Sequence, residues 1–257
     1  MLVALIQTQI YDYDTQKNLK NLTDITNKLS KDTDWVIFPE MFLTGFVTDT
    51  SLCEKSQTDG LSFLRELAKK FSCAAEGSLF IQENGKYLNR HYFITPAAED
   101  YYDKNKLFSL SDEAKILTSG TKPSIVNYNG WKINLKTCYD VRFCDICKNS
   151  FMDGEFMYDV MTFVASWPSN RSSQWKILLQ ARAIENMSYV IGVNRCGTDS
   201  SGLLYSGDSC IVNTKGEFLE KLPESTYDIH YYNIDKDYLD KQREKFPVHK
   251  DWQDIQR

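Results

Sequence analysis

Ile133-Asn134-Leu135-Lys136-Thr137-Cys138-Tyr139-Asp140-Val141-Arg142-Phe143 is an apolar strand that runs into a cysteine, with a helix predicted to follow. A sharp strand-to-helix turn of this kind lifts its first side chain clear of the sheet, and the next backbone N–H, that of Tyr139, can point at the same spot. A thiol at a helix N-terminus is also expected to have a lowered pKa. Cys138 is thus a candidate nucleophile. Taken alone it is equally a buried structural cysteine, the commoner fate of a lone thiol.

The same texture extends in both directions. Strands are predicted at 2–9, 34–38, 73–82, 86–95, 99–104, 124–128, 131–137, 160–166, 189–195, 207–213 and 227–234. Asn84-Gly85 and Asn129-Gly130 are hairpin turns, and Lys215-Gly216 is a further turn. Helices are predicted at 14–30, with Leu19, Leu22, Ile25 and Leu29 in helical spacing behind an Asp14 or Thr15 cap, and at 61–71. A third covers 172–187, with Trp175, Leu178, Leu179, Ala183 and Ile184 along one side, and a short one starts at Lys236. Helices alternating with strands and hairpins indicate an α/β protein with two mixed sheets flanked by helices. With no linker, low-complexity run or repeat, residues 1–257 are expected to form a single domain.

Charge and cysteine usage narrow the function. A net charge of -5 argues against a nucleic-acid backbone as partner, which needs clustered cations. No apolar run approaches membrane-spanning length. The seven cysteines are odd in number and irregularly spaced, and the N-terminus turns polar too soon for a secretory signal, so free thiols in a reducing, cytoplasmic setting are expected.

Two other strand ends carry chemistry. Phe38-Pro39-Glu40-Met41 puts a carboxylate just past a strand; Glu40 is either a general base in an apolar site or a solvated glutamate. In Tyr101-Tyr102-Asp103-Lys104-Asn105-Lys106-Leu107-Phe108, Lys104 leaves a strand and either faces a developing oxyanion or lies on the surface.

Together these segments resemble a known family. Phe38-Pro39-Glu40, then Tyr102-Asp103-Lys104 with Leu107-Phe108 behind it, then Cys138-Tyr139-Asp140-Val141-Arg142-Phe143 resemble, in order, the three signature segments of the nitrilase (carbon–nitrogen hydrolase) superfamily. The likeness continues through Ala165-Ser166-Trp167-Pro168, Ala181-Arg182-Ala183-Ile184-Glu185-Asn186, Tyr205-Ser206-Gly207-Asp208-Ser209 and Arg243-Glu244-Lys245-Phe246-Pro247, so it spans essentially the whole chain. It implies a four-layer αββα sandwich, usually dimeric, with residues 246–257 a tail that packs either on a partner subunit or back on its own. It implies Glu40 as general base, Lys104 as oxyanion-stabilising lysine with the Tyr139 N–H, Cys138 as nucleophile and Glu113 as an additional glutamate, with no metal or organic cofactor. The wording is most similar to the omega-amidase branch, whose substrates are the terminal amides of 2-oxo dicarboxylates. Such a small molecule needs a carboxylate anchor, for which Arg171 at the start of the third helix is the candidate, with Trp167 as a pocket wall.

Other assignments stay open at this stage. Cys144-Asp145-Ile146-Cys147 has metal or redox spacing, although no second such pair exists and the histidines are scattered. His91 could serve a Cys–His hydrolase, and the fold could also persist as a binding protein without catalysis.

Overall fold

The computed structural model describes residues 1–223 and 225–252. In chain order, β1 (Leu2–Ile6), α1 (Thr15–Thr26), β2 (Trp35–Ile37), α2 (Cys53–Phe71), β3 (Ala74–Glu83), β4 (Lys86–Ile94) and β5 (Glu99–Asp103) build the first half. Next come α3 (Glu113–Ile116), β6 (Ile125–Tyr128), β7 (Trp131–Thr137), α4 (Cys144–Cys147), the hairpin β8 (Phe151–Met152) and β9 (Glu155–Phe156), and β10 (Val160–Ala165). The chain continues through α5 (Ser172–Asn186), β11 (Tyr189–Asn194), β12 (Cys196–Thr198), β13 (Leu204–Ser206), β14 (Cys210–Val212), β15 (Ile229–Asn233) and α6 (Lys236–Lys245).

Two mixed sheets result, ordered β15-β1-β2-β3-β4-β5 and β14-β11-β10-β7-β6. Side chains alternate between the faces of a strand, and the innermost strands β1, β2, β10 and β11 are buried on both. Val3, Leu5, Trp35 and Ile37 on the first sheet pack with Ile133, Leu135, Val160, Val164, Ile191 and Val193 on the second, which forms the middle of the sandwich. Their neighbours Ala4, Ile6, Val36 and Phe38 face the other way, onto Leu22 and Ile25 of α1 and Leu64 and Leu67 of α2. The second sheet covers its outer face with Trp175, Leu179 and Ala183 of α5. The layers are therefore α, β, β, α, as the resemblance implies. No helix among the described residues is long and apolar enough to cross a membrane.

Several boundaries differ from expectation for identifiable reasons. Helix α1 is capped by Asp14, which accepts from Lys17 N–H at 3.0 Å, but it stops at Thr26 rather than 30. Helix α2 starts at Cys53 instead of 61; its first turns bury Ser56 and Gly60 rather than large apolar residues, so the periodicity is invisible. At Gly60 a Cβ would come within 2.5 Å of Leu79, so the close helix–sheet approach needs glycine there. The strand expected at 207–213 begins only at Cys210, because Gly207 and Asp208 both have positive φ. Ile184 does not share the buried side of α5 but is 52% exposed. Of the tail, Val248–Asp251 forms a 3-10 turn, and His249 and Trp252 pack on Phe156 of the same chain. Positions 253–257 lie outside the described residues.

Candidate active site

Strand ends converge at one edge of the sandwich, the usual place for sites in open α/β sheets. Glu40 lies three residues past β2, while Lys104, Cys138 and Ser166 directly follow β5, β7 and β10. The Lys104 backbone is fixed from both sides, its N–H donating to Asn89 O at 3.0 Å and its carbonyl accepting from Gly120 N–H at 2.9 Å. Glu40 is oriented by the Ser166 N–H on Oε2 at 2.8 Å and by Asn89 Nδ2 on Oε1 at 2.8 Å.

The Lys104 ammonium sits between two carboxylates. Nζ is 2.9 Å from Glu40 Oε1 and 2.8 and 3.0 Å from the two oxygens of Glu113. Glu113 is fixed in turn by the Phe108 N–H at 2.6 Å. Cys138 Sγ lies 4.0 Å from the Ser166 carbonyl oxygen. Glu40, Lys104 and Glu113 are essentially sealed, and Cys138, with 8% exposure over the whole residue, is the least buried of the four. A cavity of about 630 Å³ is lined by Asn105, Ala114 and Tyr139, the sequence neighbours of Lys104, Glu113 and Cys138, but by none of the four cluster members themselves.

Burial dominates the electrostatics. It opposes the Lys104 charge, but Glu40 and then Glu113 overcome it and hold the ammonium well above the ordinary lysine range. Burial raises Glu113 against the pull of Lys104. Burial, followed by the Glu40 charge, pushes the Cys138 thiol well above its usual range, with Lys104 and the Ser166 backbone opposing. This corrects the expectation of a lowered thiol pKa. No α-helix starts at Cys138: residues Cys138–Arg142 form a 3-10 turn and α4 is a single turn, so there is too little aligned backbone to offset desolvation. The turn is nonetheless sharp, with Cys138 at φ 45°, where non-glycine residues are uncommon.

The structure thus brings Glu40, Lys104, Glu113 and Cys138 together. Trp167 is buried in the same apolar cluster as Cys138, stacked on Trp175 at 5.4 Å, and its Nε1 donates to the Arg171 carbonyl at 2.9 Å. Arg171 is half-buried, with its guanidinium 5.7 Å from the Phe108 ring, and Phe108 packs on Tyr139 at 5.1 Å. Among the described residues Arg171 forms no ion pair. Sequence reading missed Asn89 and Ser166, which orient Glu40. Nothing marks Asn89 in its strand, whereas Ser166 sits inside a quoted segment. His91 is fully buried, with Nε2 2.8 Å from Glu76, which also accepts from Trp35 Nε1, so it is a packed core histidine. The two thiols of the C-x-x-C run have different surroundings: Cys144 is exposed, and Cys147 is buried with Sγ 3.6 Å from the Asp140 carbonyl.

A two-sheet αββα sandwich with a carboxylate, an ammonium and a thiol at its strand ends defines a class of hydrolases. The chain belongs to the carbon–nitrogen hydrolase family, whose model matches residues 2–244. It is 34% identical over 262 residues to the omega-amidase YafV of Escherichia coli (strain K12), covering 98% of this chain and 95% of the relative. It is 30% identical to the 2-oxoglutaramate amidase of Bacillus subtilis (strain 168), over 84% of each chain. Among solved structures, XC1258 from Xanthomonas campestris, a CN-hydrolase superfamily protein with an arsenic adduct in its active site, superposes with a TM-score of 0.93 at 32% identity, covering 99% of this chain and 98% of that one.

Proposed function

We propose that this carbon–nitrogen hydrolase is an omega-amidase, releasing ammonia from the terminal amide of 2-oxo dicarboxylate monoamides such as α-ketoglutaramate and α-ketosuccinamate. The observation that carries the chemistry is the Lys104 ammonium clasped between Glu40 and Glu113, with the second Glu40 oxygen on the Ser166 N–H. The names of the relatives support the substrate class.

In this mechanism Cys138 is the nucleophile. Glu40 takes the thiol proton as sulfur bonds to the amide carbon, and the carbonyl oxygen becomes an oxyanion held by Lys104 and the Tyr139 N–H. The intermediate collapses with cleavage of the C–N bond, Glu40 returns the proton to nitrogen, and ammonia leaves a thioester. Water then attacks with Glu40 again as base. The C–S bond breaks, the acid departs and sulfur recovers its proton. Glu113 keeps the ammonium in place. Each oxyanion donor is commonly worth about 3 kcal/mol in the transition state. Arg171 serves as anchor for the distal carboxylate, and Trp167 as the wall that sets the distance to it.

The chain acts as one hydrolase domain in a reducing, cytoplasmic setting, which its free thiols suit. It pairs as a homodimer, for which Ile177 and Ile184, exposed on α5, offer an apolar contact; sedimentation would test this. The function is tested by ammonia release from the two keto-amides, from glutamine and from a simple nitrile, beside Cys138→Ala. Turnover of the keto-amides that is lost in the mutant is expected. Hydrolysis of only another amide or nitrile would keep the mechanism and discard the substrate, and no turnover on a broad panel would leave a binding protein.

A further inference from the structure

Cys138 and Lys104 come from different sheets, and something must fix their separation. Both carboxylate oxygens of the fully buried Asp140 span that gap. Oδ2 accepts the Thr137 N–H at 2.9 Å and the Tyr102 hydroxyl at 3.0 Å, while Oδ1 accepts the Lys106 N–H at 2.8 Å. The Tyr102 oxygen also accepts the Asn105 N–H at 3.2 Å. Thr137 immediately precedes the nucleophile on β7. Tyr102, Asn105 and Lys106 flank Lys104 on both sides, at the end of β5. One side chain therefore grips the nucleophile turn and brackets the lysine.

We propose that Asp140 is a positioning residue for the reaction, setting the distance between the Cys138 sulfur and the Lys104 ammonium by tying the nucleophile turn of one sheet to the lysine-bearing strand end of the other. The turn it holds carries Cys138 in a positive-φ conformation that persists only when its surroundings impose it. Asp140 has a buried cation close by as well. Lys136, one of the largest fully buried side chains, lies with Nζ 4.3 Å from the centre of the Tyr102 ring and, among the described residues, bonds only the neutral oxygens of Asn134 and Leu135. Burial pushes the Asp140 carboxyl up, and the Thr137 and Lys106 N–H groups, then the Lys136 charge, oppose it. The ionised form suits these three contacts because both of its oxygens only accept, with no O–H to place among donors.

This inference rests on Cys138 and Lys104 acting as proposed above. The wild-type enzyme and Cys138→Ala test that reading, whereas the variants below are compared only with an active wild type. In Asp140→Asn one oxygen becomes an NH₂ group facing a donor, so the turn and the strand end shift apart. A displacement near 1 Å commonly costs about 100-fold in rate. The expected result is a fall in kcat of about this size with KM within about threefold of wild type. Tyr102→Phe removes one of the three contacts and keeps the ring under Lys136; its kcat should fall by roughly tenfold at unchanged KM. Thermal midpoints are measured alongside, and rates are repeated well below each midpoint. Slowing that persists there supports positioning. Slowing that vanishes there, a loss confined to KM, or a folded Asp140→Asn with kcat close to wild type would overturn it. If Asp140→Asn does not fold, Tyr102→Phe decides: wild-type kcat refutes the proposal.

Discussion

Replacing Lys104 with methionine keeps the stem and removes the charge, and two effects of different origin should follow. Loss of one oxyanion donor predicts a fall of roughly 10²–10³ in kcat. The second effect is on stability. Lys104 is the cation that Glu40 and Glu113 share, with contacts of 2.8 to 3.0 Å in a sealed site. Removing one partner of a buried ion pair typically costs about 3–5 kcal/mol, since the remaining charge is left uncompensated. An unfolding entropy of about 2.1 cal/mol/K per residue gives roughly 0.54 kcal/mol/K for 257 residues, so the midpoint should drop by about 6–9 °C at pH 8.

The pH dependence carries the signature. Glu113 is already raised by burial with the cation in place, and losing the cation raises it further. A carboxyl whose folded pKa lies above its unfolded value contributes stability while protonated, fully so below the unfolded pKa. That contribution is lost as pH rises through the folded pKa. The parent is flat over this range on the lysine side, because Lys104 is raised and stays charged. The gap in midpoint between Lys104→Met and the parent should therefore be widest near pH 8 and shrink to roughly half toward pH 5. Differential scanning calorimetry across that range measures it, with Lys104→Met/Glu113→Gln as a control that should recover part of the loss at pH 8. A gap that is constant with pH, or that widens in acid, would show that the buried carboxylates do not rely on Lys104 for their charge.

Three further outcomes follow from the same geometry. Glu113→Gln leaves Lys104 with Glu40 alone, so kcat should fall by about 10- to 100-fold with a smaller change in KM; steady-state kinetics on an active amide would show it, and unchanged kcat would remove Glu113 from the mechanism. Iodoacetamide labelling of Cys138, followed by mass spectrometry, should keep accelerating past pH 9 because the thiol is held high, and a plateau near neutrality would mean a resting thiolate. Arg171→Ala should raise KM at least about tenfold for a keto-acid amide and leave a neutral amide unaffected, the loss expected for one charged hydrogen bond; equal effects on both would refute the anchor.

What could be read from the sequence follows what is local. The middle of the sandwich was legible because Val3 and Leu5, or Ile133 and Leu135, alternate with residues that pack on the opposite face. Glu40, Lys104 and Cys138 were legible because each lies just past a strand inside a recognisable segment, whereas Glu113, at the start of α3, came only from the resemblance. The beginning of α2 was not, since Ser56 and Gly60 are buried where an apolar residue would signal a helix. The orientation of Glu40 was not either: Asn89 lies 49 positions and Ser166 126 positions away in the chain, and only the pairing of the sheets brings them to it. The state of the thiol was misjudged because a local rule, that a helix start favours thiolate, lost to desolvation that only the packed structure creates.

That reversal bears on how Cys138 would act as nucleophile in the proposed mechanism. Two carboxylates and one ammonium already leave the buried cluster formally negative. A resting thiolate would add a second negative charge in a buried site, and Lys104, engaged by two carboxylates, has little attraction left to offer. Burial and the Glu40 charge, which hold the thiol high, favour the protonated sulfur at rest. In the proposed mechanism the negative charge exists only while it is being passed on: as the proton reaches Glu40, that carboxylate is neutralised and releases its hold on Lys104, just as charge appears on the substrate oxygen. The ammonium changes partner at the moment the oxyanion needs it. Under that mechanism the site would resist adventitious electrophiles between turnovers, yet give the transition state a cation that the ground state keeps occupied, which is the condition for binding energy to appear as rate.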